Sequence, residues 1–186
     1  MQRIFGSGAE YHLYVVEKGN HRVQVFNPVD ASPIRCIGEG QGEGPGQFDG
    51  PISCEALLGA EGGIAELYVS DECNNRVSVF DMATGAFIRH IGADDEDSDA
   101  FIHEPGGIAL SLGGVDSQGG DHLLYVGVCN EGRIHILNAR TGAHVGYLGE
   151  GELSYPRGIR LHAATENRTL LVGTDGGNAN IRMYEV

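Results

Sequence analysis

Three arginines, Arg22, Arg76 and Arg133, each open a short alternating apolar run, and acids stand across the turn from the first two, at Glu17 and Asp71. A planar guanidinium forks onto a carboxylate or onto backbone carbonyls, so this spacing suits a brace across a tight hairpin. A ring of arginines could instead hold an anionic ligand. A position that recurs in step with its neighbours serves the recurring unit, however, and the three are expected to brace their own hairpins.

The densest charge is the run over residues 94–99, where Asp95, Asp97 and Asp99 have the alternate spacing with which a loop wraps oxygens around calcium. The rest of that pattern fails. Ala100 stands where the turn glycine belongs and no Glu closes the loop at the twelfth position, so a solvated acidic loop is expected. The glycine-rich segment 38–48 has no Gly-Lys-Ser/Thr and no following helix, which removes a phosphate-loop reading. It reads as a long connection held by Phe48 and stiffened by Pro45 and Pro51. Eight histidines raise the question of a metal, but His103 alone makes no ligand set, and no nucleophile, base and orienting acid can be assembled. No metal and no cofactor are expected.

Cys36, Cys54, Cys73 and Cys129 show no Cys-x-x-Cys or Cys/His ligand spacing and read as reduced thiols. Asn167 opens an N-glycosylation acceptor, Asn-Arg-Thr, which matters only in a secreted protein. The first residues lack the apolar run of a signal peptide and no segment approaches a membrane span, so a cytoplasmic location is the default. The formal charge of −14 disfavours nucleic acid and anionic membrane, both of which are held by clustered Lys and Arg. It favours a basic protein or peptide as partner.

The elements that must position these residues are strands. Residues 67–80 recur without a gap as 13–26 and 124–137, and more weakly as 170–184 with one extra residue; Tyr14, Tyr68 and Tyr125 mark a spacing of about 55 residues, in the range of propeller and solenoid repeats. Each copy is two β-type runs around a polar turn, as in Val77-Ser78-Val79-Phe80, where successive side chains go to opposite faces. Thirty glycines fit many short strands joined by turns. Residues 2–5 precede the first copy as an inner strand. Outer strands follow at 33–38, 87–92 and 144–149, and inner strands begin near Ser53, Pro105 and Pro156. A fourth outer strand is not expected.

The runs Asn20-His21-Arg22-Val23-Gln24-Val25-Phe26 and Asn74-Asn75-Arg76-Val77-Ser78-Val79-Phe80, with Gly44-Pro45-Gly46-Gln47-Phe48 leading to Pro51, resemble the NHL-repeat β-propeller family. The resemblance covers almost the whole chain. It implies an all-β fold with about four blades of antiparallel strands, at residues 1–38, 51–92, 105–149 and 156–186 of a single propeller segment, forming an open or partial ring. It also implies that b-to-c and d-to-a loops share one rim. The amidating-lyase branch of that family carries metal-binding histidines beside its inner strands, and the matching positions, Pro51-Ile52-Ser53, Pro105-Gly106-Gly107 and Pro156-Arg157-Gly158, lack them. Some members bind RNA through a positive rim, which this acidic chain does not have.

The expected function is therefore a noncatalytic protein-interaction scaffold. Its rim is expected to present Glu17, His21, Asp71, Glu72, Asn74, Glu131 and the 94–99 loop, and its open edges to pair with further blades or with a second copy. The alternatives are a metal-dependent, lactonase-like propeller hydrolase and an RNA-binding module.

Overall fold

The computed structural model describes residues 2–7, 10–57, 65–92, 98–111, 122–165, 168–175 and 180–186. Asp95, Asp97 and Asn167 lie outside them. The chain divides into two compact units, Met1–His90 and Ile91–Val186.

In the first unit β1 (Gln2–Ser7), β2 (Glu10–Glu17), β3 (Arg22–Phe26) and β4 (Pro33–Ile37) form one sheet in chain order. The next strands, β5 (Pro51–Leu57), β6 (Glu66–Asp71), β7 (Arg76–Asp81) and β8 (Phe87–Ile91), form a second. Each is an expected blade, with the inner strand of blade two beginning at Pro51 rather than at Ser53. Cross-strand pairs share a face, so the register Tyr14↔Val25 and Val16↔Val23 collects Tyr14, Val16, Val23 and Val25 on one face of blade one. Leu67↔Phe80 and Val69↔Ser78 define the opposite type of face on blade two. These two faces meet: Tyr14, Val16, Val23, Val25 and Ile37 pack with Cys54, Leu67, Val69 and Phe80 in one core cluster. Each fully buried valine or leucine there contributes about 1.5–3 kcal/mol.

In the second unit β9 (Pro105–Ser111), β10 (Leu123–Val128), β11 (Arg133–Asn138) and β12 (His144–Leu148) form blade three. Blade four is a three-stranded sheet of β13 (Pro156–Thr165), β14 (Arg168–Asp175) and β15 (Asn180–Glu185). The same two face types meet again, Tyr125 and Ile134 of blade three packing with Ile159, Leu161 and Tyr184 of blade four. Glycine lets the backbones close up: a Cβ on Gly107 would lie 2.5 Å from the Arg157 carbonyl oxygen, and one on Gly127 would collide with that of Pro156.

The fourth repeat starts one residue later than its sequence suggests. Leu171 pairs with Tyr184 and Asp175 with Asn180, as Leu67 pairs with Phe80 and Asp71 with Arg76. Residues 171–184 therefore match 67–80 without an insertion. The pair Leu170-Leu171 offers two starting leucines, and only sheet register, in which a one-residue slip exchanges the faces, chooses between them.

The c-to-d turns of blades two and three are closed by a side chain. Asp81 accepts the Thr84 amide and hydroxyl at 2.6 and 2.7 Å, and Asn138 accepts the Arg140 and Thr141 amides at 3.0 and 2.9 Å. The left-handed residue that follows is glycine in both, Gly85 and Gly142.

Candidate functional site

Between β2 and β3 the chain makes one 3-10 turn, Lys18–Asn20, and between β6 and β7 another, Glu72–Asn74. Each ends on a left-handed residue, His21 (φ 50°) and Asn75 (φ 53°), and Gly132 (φ 62°) takes this place before β11. That residue immediately precedes the arginine in every case. The turn thus delivers Arg22, Arg76 and Arg133 to the first position of the returning strand.

The three arginines find different partners. Arg22 Nε is 2.5 Å from Glu17 Oε2, directly across the strand pair, and this hydrogen bond, with that from Asn20, holds the Glu17 carboxyl below its ordinary value. Arg76 Nε is 3.2 Å from Asp71 Oδ2, again directly across. Its other nitrogens donate to the carbonyl oxygens of Glu43 (2.7 Å), Gln47 (3.1 Å) and Gly44 (3.4 Å). Arg133 faces Val128 in the ladder and turns to the loop, where Nε meets Glu131 Oε2 at 2.6 Å, and its guanidinium lies 3.8 Å over the Tyr147 ring.

Asp71 is not a rim contact. Its residue surface is 0% exposed, and its carboxylate accepts the Asp49 amide at 2.7 Å and the Asn74 side-chain amide at 2.7 Å besides Arg76. Burial pushes this carboxyl up from its ordinary value, against those three donors. Glu72 is also largely covered: its side chain is 12% exposed and paired with Lys18.

The connection over residues 38–50 is laid onto these hairpins. Phe48 is buried, with its ring 5.3 Å from that of Phe80. The loop is pinned to itself by Glu39 N–Gly46 O (2.9 Å), Gly42 N–Phe48 O (3.0 Å) and Phe48 N–Gly40 O (3.0 Å). Asn74 donates to the Gly42 carbonyl at 2.9 Å, and the amides of Glu72 and Cys73 donate to the carbonyls of Gly50 and Asp49. His21 Nδ1 accepts the Gly50 amide at 3.3 Å and lies 3.4 Å from Asp49 Oδ1. Glu17, Lys18, His21, Asn74, Glu39, Gln41, Glu43 and Asp49 therefore belong to one surface, formed by two b-to-c hairpins and one d-to-a loop. Glu39 and Glu43 are exposed on it. Sequence reasoning placed no site residue on this loop, although a d-to-a connection must run along the b-to-c rim.

In the second unit Glu131 Oε2 also meets His135 Nε2, at 2.8 Å. His135 is buried and its Nδ1 has no hydrogen-bond partner among the described residues. Burial pushes its imidazole below the ordinary value, outweighing the Glu131 carboxylate. Burial in turn tends to raise Glu131, but hydrogen bonds and charge from His135 and Arg133 hold it low. Asp99 is exposed and accepts the Tyr147 hydroxyl at 3.4 Å. Among the described residues no three His, Cys, Asp or Glu side chains converge as a metal set, and no helix is long and apolar enough to cross a membrane. No disulfide forms among the described residues, and Cys54 and Cys129 are buried.

No family model and no curated protein matches this sequence. Solved structures do. The chain is similar to BBS1N, solved in complex with ARL6DN, with a TM-score of 0.65 at 10% identity over 99% of this chain and 52% of that one. An auxiliary nutrient binding protein from Bacteroides ovatus gives 0.57 at 12% identity over 94% and 46%. Hydrazine synthase from Kuenenia stuttgartiensis gives 0.53 at 13% over the same shares. The chain thus spans about half the length of these structures, and the likeness establishes a β-propeller fold, all-β with blades of antiparallel strands.

Proposed function

We propose that this chain is a noncatalytic interaction module of the NHL-repeat type that binds a basic protein or peptide through the rim of its b-to-c and d-to-a loops. The observation that carries this reading is the hydrogen-bonded unit of residues 38–50 with the two hairpins. It fixes exposed carboxylates at Glu39 and Glu43, with Asp49 and Glu17 beside them, on a backbone that needs no ordering when a partner arrives. A rigid surface on which carboxylates outnumber the cations Lys18 and Arg22 steers a positively charged partner and selects against an acidic one. That the similar BBS1N was solved with a partner protein is in keeping with this reading. On the second unit Asp99 is an exposed carboxylate, while Glu131 is taken up by Arg133 and His135.

The test is fluorescence anisotropy with a labelled Lys/Arg-rich peptide and an acidic peptide of equal length. Saturable binding of the basic peptide alone, weakening steadily as salt rises, is the expected result. Equal binding of both peptides, or of neither, rejects the reading.

A further inference from the structure

We infer, on the reading of this rim as a surface for a basic partner, that Lys18 stands in for an arginine of that partner, which takes its place on the Glu72 carboxylate. In the ungapped repeats 13–26, 67–80 and 124–137, the positions of Lys18, Glu72 and Cys129 coincide. Lys18 therefore does not brace its own hairpin as Arg22 and Arg76 do. Its Nζ crosses from the β2–β3 hairpin to Glu72 Oε2 on the β6–β7 hairpin, within the first compact unit. The stem lies over Gly50, where an added Cβ would come 3.4 Å from Lys18 Cε and 3.9 Å from Glu72 Oε2. Gly50 has a φ of 72°, so the position that gives the lysine its room also favours glycine.

The two ends of this pair differ. The Glu72 side chain is 12% exposed, and its amide is tied to the Gly50 carbonyl at 3.3 Å. The Lys18 side chain is 53% exposed. It is also the only lysine in a sequence with eleven arginines. An ammonium is a compact, hydrated point charge, whereas a guanidinium forks onto a carboxylate and nearby carbonyls, as Arg76 does here. Of the two, lysine is the cation more readily returned to water. Exchange never leaves Glu72 bare, because the guanidinium arrives as the ammonium leaves, so a largely covered carboxylate keeps its counter-charge. Lys18 meanwhile regains rotamer freedom. The local field favours the exchange: burial and the carboxylates of Asp49 and Glu72 push the neighbouring Cys73 thiol up, with Lys18 opposing them and Asp71 adding to them.

Fluorescence anisotropy at low salt with a labelled arginine-rich, lysine-free peptide tests this on wild type, K18Q, R140Q and K18Q/E72Q, each checked for native circular dichroism. Arg140 is exposed on the c-to-d turn of blade three, so R140Q and K18Q remove the same single charge. K18Q should bind the peptide about fivefold tighter than wild type, and R140Q less than about twofold tighter. K18Q/E72Q, which keeps the net charge of wild type, should bind no tighter than wild type. Wild type acetylated at Lys18 after folding should bind as K18Q does, which removes any dependence on how the variant folds. A gain in K18Q and in the acetylated protein no larger than in R140Q, or a gain that K18Q/E72Q retains, overturns the exchange and leaves rim binding standing. Failure of wild type to prefer the basic peptide over an acidic one overturns both.

Discussion

Arg76 sits directly across the β6–β7 hairpin from Asp71, with its Nε 3.2 Å from a carboxylate that has no exposed surface. Arg76→Ala would leave that buried carboxylate short of its cation and release three carbonyls of the 38–50 loop together. The expected loss is about 3 kcal/mol, read from urea unfolding. Arg22→Ala removes a half-exposed pair and should cost no more than about 1 kcal/mol. Equal losses would mean that the loop carbonyls contribute nothing.

Blade three meets blade four through glycine. Gly127→Ala places a methyl against the Pro156 carbonyl and should destabilise the second unit by about 1–3 kcal/mol, as overpacking does. Gly146→Ala, with nothing within 4 Å of the added Cβ, should be neutral or slightly stabilising. Calorimetry of the two variants side by side tests the close approach.

The His135–Glu131 pair gives blade three a dependence on pH. His135 is held below its ordinary 6.5, so as pH falls through that value the unfolded chain takes up the proton first and the native state loses ground. Glu131 is held below its ordinary 4.5, so a second loss of the same sign follows at lower pH. Melting temperature should therefore decline from about pH 7 to about pH 5 in wild type, and His135→Gln should flatten this part of the profile. A slope unchanged by that substitution would place its origin elsewhere.

The strand pairs were legible because Leu-Tyr-Val and Val-x-Val-Phe repeat at fixed distance, and sheet register preserves that distance. The start of the fourth copy was not, since Leu170 and Leu171 satisfy the pattern equally and only the partner of Tyr184 separates them. The two hairpin acids were visible in the spacing of Asp71 and Arg76. Burial of Asp71 was not, because the 38–50 loop that covers it contacts the hairpin through backbone groups, which any sequence carries. For the same reason the sequence singles out neither Glu39 nor Glu43: the loop is fixed in place through the backbone carbonyls of Gly42, Glu43, Gly44 and Gln47.

The binding claim is positional, and two single substitutions of equal charge decide it. Glu43→Gln removes a carboxylate from the proposed rim; Asp30→Asn removes one from the c-to-d turn of blade one, where Asp30 accepts the Ser32 amide within its own turn. The dissociation constant of a Lys/Arg-rich peptide, measured for both variants and wild type at low salt, should rise about threefold for Glu43→Gln and stay within error for Asp30→Asn. Equal weakening by the two would show attraction to net charge alone and would contradict binding at this rim.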